Sequence, residues 1–121
     1  MSNNIEIGKE GENAAIEYLK AKSYKILHTN WRFRHLELDI VAQINKTVAF
    51  IEVKSRTGTY FQQPFQAVNK KKQQFIIEAA NAYIEKYNID FEARFDIVSI
   101  VIENGIPKID HIEDAFYPMV K

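Results

Sequence analysis

The chain has 121 residues, of which 46% are hydrophobic and 26% charged, and it contains no cysteine. That suits one globular domain over residues 1–121 and removes disulfides, cysteine nucleophiles and thiolate zinc sites from consideration. The 16 basic and 16 acidic side chains cancel, which argues against a protein that coats nucleic acid by bulk charge while leaving room for local clusters. No apolar run is long enough to span a bilayer, and Met1–Glu10 has no hydrophobic signal region. The expectation is a cytoplasmic protein without a membrane partner.

In chain order, Gly8–Lys22 reads as a helix, with Ala15, Tyr18 and Leu19 at helical spacing and Ser23 ending the run. Tyr24–Arg32, Leu36–Gln43 and Thr47–Arg56 read as three strands. Gly58–Pro64 reads as a loop that opens a long helix from about Phe65 to Tyr87, striped by Val68, Phe75, Ile76, Ala79, Ala80 and Tyr83. Ala93–Ile102 is nearly continuous in apolar residues, as a strand covered on both faces would be. Asn104-Gly105 is a hairpin signal before a short strand, Pro107–His111, with a last helical turn to follow. The order αβββαββ predicts an α/β fold: an antiparallel meander, a helical crossover that sets the third and fourth strands parallel, and a mixed sheet with flanking helices.

A two-residue turn at Asn45-Lys46 fixes the register of the second and third strands. Ile44 then faces Thr47, Val41 faces Phe50, Asp39 faces Glu52 and Glu37 faces Lys54. By strand alternation these four charged residues share one face, and Leu38, Ile40, Ile51 and Val53 share the other, as core. Directly opposed carboxylates repel, so stability alone does not explain Asp39 across from Glu52. A hard divalent cation, Mg²⁺ or Mn²⁺, removes the repulsion, and Lys54 beside it would stabilise charge developing on a phosphate. The plain alternative is a Glu37–Lys54 cross-strand ion pair with Asp39 and Glu52 screened at a strand end. Glu12, early in the first helix, is either an acid favoured by the helix dipole or a further ligand. Arg32, Arg34 and His35, Lys54 and Arg56, and Lys70–Lys72 form basic clusters, each of which taken alone also fits a solvated face. No two histidines stand at metal-ligand spacing. Asp96 beside Arg94 suggests a structural pair, and Tyr60, Phe61 and Phe65 suggest caps on the core or stacking surfaces for a base.

The ordered set Gly11-Glu12, Asn30-Trp31-Arg32 with Arg34, Glu37-Leu38-Asp39-Ile40-Val41, Phe50-Ile51-Glu52-Val53-Lys54-Ser55-Arg56, Ala67-Val68 with Lys72, and Arg94-Phe95-Asp96 resembles the bacterial YraN-like family of predicted endonucleases. That family is similar to archaeal Holliday junction resolvases and belongs to the PD-(D/E)XK, or restriction-endonuclease-like, superfamily. Leu36 and Ser23 stand where the family usually has glycine. The resemblance implies a restriction-endonuclease-like fold and a metal-dependent endonuclease acting on DNA, with branched or structured DNA as a candidate substrate. It implies Asp39, Glu52 and Lys54 as the catalytic set, Mg²⁺ or Mn²⁺ held by Asp39 and Glu52 with Glu12 and Glu37, and Arg32, Arg34, Arg56 and Lys72 as phosphate contacts or supports of the site. A homodimer would suit a two-strand cut, and no small-molecule cofactor is expected. The alternative is a nucleic-acid-binding or assembly module that keeps the fold without turnover.

Overall fold

The structure, a computed structural model, describes residues 4–57 and 68–118. Helix α1 (Asn4–Ala21) leads into β1 (Lys25–Phe33), β2 (Leu36–Ile44) and β3 (Thr47–Thr57); helix α2 (Lys70–Lys86) precedes β4 (Glu92–Glu103) and β5 (Ile106–Phe116). The five strands form one sheet in sequence order, antiparallel except for the parallel pair β3–β4. The α/β architecture, the meander and the helical crossover are as the sequence pattern predicts. None of the described helices is long and apolar enough to cross a membrane.

The two helices cover opposite faces because the central strands alternate. Val48, Phe50, Phe95 and Ile97 join Ile76, Ile77, Ala79, Ala80 and Tyr83 of α2. Ala49, Ile51, Val98, Ile100 and Ile102 join Ala15 and Leu19 of α1. Phe50 is fully buried, stacked on Phe95 at 5.6 Å and meeting Tyr83 edge-on at 5.8 Å. Helix α1 ends where Ser23 turns left-handed (φ 72°) and the Tyr24 amide donates back to Leu19 O at 3.0 Å, a closure of the kind that stops helices. Near its other end α1 lies close on β3: a Cβ at Gly11 would collide with Ser55 Oγ and lie 2.7 Å from its Cβ. That contact fixes α1 over the C-terminal half of β3.

Three expectations are corrected. Helix α2 begins at Lys70, because the Asn69 side chain accepts the Lys72 amide at 2.9 Å and caps the first turn; Val68 is buried but precedes the helix. Phe75, assigned to the core stripe, is 37% exposed, and Ile77 is buried in its stead. Strand β5 continues to Phe116, through the segment expected to turn helical. Pro64 and the aromatics Tyr60, Phe61 and Phe65 lie outside the described residues.

Candidate functional site

The register predicted from the Asn45-Lys46 turn is present, with Ile44 opposite Thr47 and Val41 opposite Phe50, but β2–β3 pairing ends at Ile40–Ile51. Beyond that point β2 changes face. Val41 packs toward α2 and Ile40 toward α1, yet Leu38 and Leu36 again pack toward α2. Strict alternation, which placed Leu38 and Ile40 on one face, therefore fails between them, at Asp39. Strand β1 switches beside it: His28 and Trp31 both meet Tyr83 of α2, although an odd number of positions separates them. Between them Asn30 has a left-handed backbone (φ 51°), which asparagine tolerates better than most residues.

Asp39 thus stands where β2 and β3 fork. Its Oδ2 accepts the Val53 amide at 2.9 Å, replacing a ladder bond that the fork removes. Glu52, 4% exposed, projects from β3 beside it, near enough for Asp39 to raise its pKa. Lys54 Nζ is 3.7 Å and Lys72 Nζ 3.6 Å from Glu52 Oε2. Burial and, after it, the negative charge of Asp39 push the Glu52 carboxyl up to about 7, and the two ammonium groups only partly offset this. Two ammonium groups thus stand beside the buried Glu52 and the half-buried Asp39, a concentration of opposed charges at the fork.

The other predicted residues take distinct places. Glu12, on α1, accepts from Asn30 Nδ2 at 2.8 Å; burial raises its pKa, the Asn30 bond lowers it, and the charges of Asp39 and Glu37 raise it further. Glu37 does not pair with Lys54 as the extended register required; it faces Arg32 on β1, with Arg32 Nη2 at 3.2 Å from Oε2. Among the described residues, no three or more acidic, histidine or cysteine side chains gather as a set that could hold a metal ion. Asp39 and Glu52 meet as a pair, and Glu12 stands within electrostatic range. Arg34 turns left-handed (φ 58°) after β1 and lays its guanidinium over the Phe33 ring at 4.9 Å. Arg56 lies half-buried near the end of β3, beside Val101 of β4. Lys72 reaches the acidic pair itself. Asn30, not among the expected site residues, joins the site through its bond to Glu12; its one sequence signal is an asparagine inside a strand pattern.

Residues 11–100 match the family model described as "Uncharacterised protein family UPF0102". The chain belongs to the UPF0102 family. The span matched includes Glu12, Asp39, Glu52, Lys54 and Lys72. A UPF0102 protein of Bacteroides thetaiotaomicron is 48% identical over 118 residues, covering 98% of each chain. One from Geobacter metallireducens is 43% identical over 114 residues, 93% of each chain, and one from Christiangramia forsetii 41% over 117 residues, 97% of this chain and 98% of its own. These relatives cover 93–98% of the chain, so the likeness is not confined to a motif.

Proposed function

We propose that this UPF0102 protein is a divalent-metal-dependent endonuclease of the PD-(D/E)XK type that hydrolyses DNA phosphodiesters, branched or otherwise structured DNA included. The observation that carries the reading is the buried Glu52 beside Asp39 at the strand fork, with Lys54 and Lys72 both within 3.7 Å of its Oε2. A fold in which α1 precedes a meander and a helical crossover follows it is consistent with the restriction-endonuclease-like arrangement that the motif order suggested.

The donor set suits Mg²⁺ or Mn²⁺. Oxygen ligands from one or two carboxylates are what such ions take, and Asp39 and Glu52 present them with a mutual repulsion that a cation would relieve. Asp39 and Glu52 would hold such an ion, which would supply polarisation of a phosphoryl oxygen and a more acidic water. The remaining work falls to side chains. Lys54, half-exposed, is placed to neutralise charge that grows on the phosphate, and Lys72 to hold Glu52 in its ionised form. Glu12, tethered by Asn30, is placed to orient water on the α1 side of the fork.

The test is cleavage of duplex, single-stranded, flap and four-way-junction DNA with Mg²⁺ or Mn²⁺. Wild type should cut at least one of them, and Asp39→Asn or Glu52→Gln should lower the rate by about 10²–10³-fold or more, the range for losing one transition-state-stabilising group. Cutting that persists in both variants sinks the assignment. Salt-dependent binding with no cleavage under either metal would instead identify a non-catalytic nucleic-acid-binding module.

A further inference from the structure

Beside the acidic pair lies a surface that the cleavage chemistry does not use. Strand β1 is an edge strand, and its α2-facing side carries Trp31 and Phe33, whose rings are parallel within 5° at 6.4 Å between centroids. Trp31 continues to Tyr87, 39% exposed, at 6.3 Å, and donates from Nε1 to the Tyr87 hydroxyl at 3.3 Å. At the other end, Arg34 covers Phe33. The next residue, His35, meets the exposed Phe75 ring edge-on at 6.1 Å, and the Lys71 ammonium lies 5.9 Å from the centre of that ring. Phe75 sits one helical turn from Lys72, so their β-carbons are about 5–6 Å apart, and Lys72 touches Glu52. The rings therefore run up to the acidic pair.

The charge that accompanies them is one-sided. Lys70, Lys71 and Lys72 fill the first turn of α2, which contains no acidic residue. The helix dipole favours acids there, so helix stability does not explain the lysines. Partly exposed rings alternating with cations match what unpaired bases on a phosphate backbone need: flat faces for stacking and positive charge for the phosphates. A paired duplex offers the phosphates but keeps its base faces stacked.

We propose that the rings from Phe33 to Phe75, with Arg34, His35 and Lys71, form a stacking platform for unpaired bases about one nucleotide from the phosphate seated at Glu52. The substrate is then nucleic acid with single-stranded or displaced bases beside the cut. The position of the scissile phosphate rests on the nuclease reading; the platform itself is measured without cleavage.

Trp31 is the sole tryptophan, so its fluorescence reports on this surface. Wild type is titrated in EDTA with a twelve-nucleotide oligo-dT and with a blunt duplex of equal length. Oligo-dT should quench Trp31 and bind about tenfold more tightly than the duplex. Phe75→Ala should weaken oligo-dT binding by about tenfold, the loss expected for one stacked base, and leave duplex binding unchanged. Arg34→Gln should flatten the salt dependence. Tyr117→Ala removes a 67% exposed ring beyond β5, the opposite edge strand, and should change nothing. Melting curves confirm that each variant is folded, and Phe75 and Arg34 are exposed enough for substitution to spare the core. Equal affinity for both ligands, no quenching, or an unaffected Phe75→Ala overturns the platform. If metal-dependent cutting survives that outcome, the nuclease reading stands without it. If single-strand preference holds but no metal elicits cutting, the platform stands and the nuclease reading falls.

Discussion

In metal-free buffer at pH 8, Glu52→Gln should melt roughly 5–10 °C above wild type, and at pH 4.5 the two should melt together. The Glu52 carboxyl is raised from 4.5 to about 7, by burial first and by Asp39 second. The folded state therefore binds this proton more tightly than the unfolded chain does. Stability from that proton is complete below about pH 4.5 and is lost as the pH climbs through 7. The shift corresponds to at most roughly 3 kcal/mol above pH 7. Glutamine keeps the shape and removes the ionisation. It also loses the contacts to Lys54 and Lys72, whose side chains are 36% and 45% exposed, and pairs that open to water are worth up to about 1 kcal/mol. Burial of the acid wins, and for a domain of this size the remaining gain is several degrees of melting temperature. Differential scanning calorimetry in EDTA across pH 4.5–8 reads it. A variant that melts at or below wild type at pH 8 would mean that the acid pair costs the fold nothing.

The second large effect has the opposite pH sign and lies away from the fork. Asp96 on β4 is fully buried. Its Oδ1 accepts from Arg94 Nε at 2.9 Å and from the Asp114 amide at 3.0 Å, and its Oδ2 from Arg94 Nη2 and His111 Nε2, both at 2.8 Å. Arg94 also donates to the Tyr24 hydroxyl, and Tyr18 meets the other nitrogen of His111. Burial alone would raise this carboxyl, but the bonds from His111, Arg94 and the Asp114 amide together hold it below its ordinary value. Its stability contribution is therefore present above the unfolded value of 3.8 and lost as the pH falls through the lower folded one. Asp96→Ala strands a guanidinium that is 20% exposed and a histidine that is 5% exposed. The expected cost is about 3–5 kcal/mol. Denaturant unfolding at pH 7 measures it, and DNA cleavage per folded molecule should be unchanged. A loss of cleavage without a loss of stability would place Asp96 in the chemistry instead.

The fold was legible where local signals are strong. Asn104 and Gly105 both adopt positive φ, 52° and 76°, as a tight hairpin turn between β4 and β5 demands. The Asn45-Lys46 turn yielded the correct β2–β3 register, and the apolar run of β4 matched a strand buried on both faces. The failures in the sheet share a cause, since each depends on contacts distant in sequence. Period-two reasoning cannot see that β1 and β2 change face together at Asn30 and Asp39, because the switch follows from β2 parting from β3. Strand β5 continues past His111 because a bulge aims the Asp114 amide (φ 53°) at Asp96, eighteen residues earlier. At Asn69 the cap signal was present in the sequence, but Pro64, read as the helix entry, drew the expected start to Phe65.

At the candidate site, residue identity travelled better than geometry. Asp39 and Glu52 meet, but through a fork and a backbone hydrogen bond, where an unbroken ladder was expected. Lys72, read as a phosphate contact or a support, bears directly on Glu52. Arg32 and Glu37 neutralise each other on the β1–β2 hairpin. The ring surface on β1 and α2 was not read as functional at all, since Trp31 and Phe33 look like ordinary strand residues until Phe75, from a distant helix, is seen beside their hairpin.

Calorimetric titration with Mn²⁺ at pH 8 tests the central claim most directly. Wild type should bind about one ion per chain, and Glu52→Gln and Asp39→Asn should each lose most of that heat. Binding of equal strength in both variants, or none in wild type, would contradict a cation site built from the carboxylates of β2 and β3.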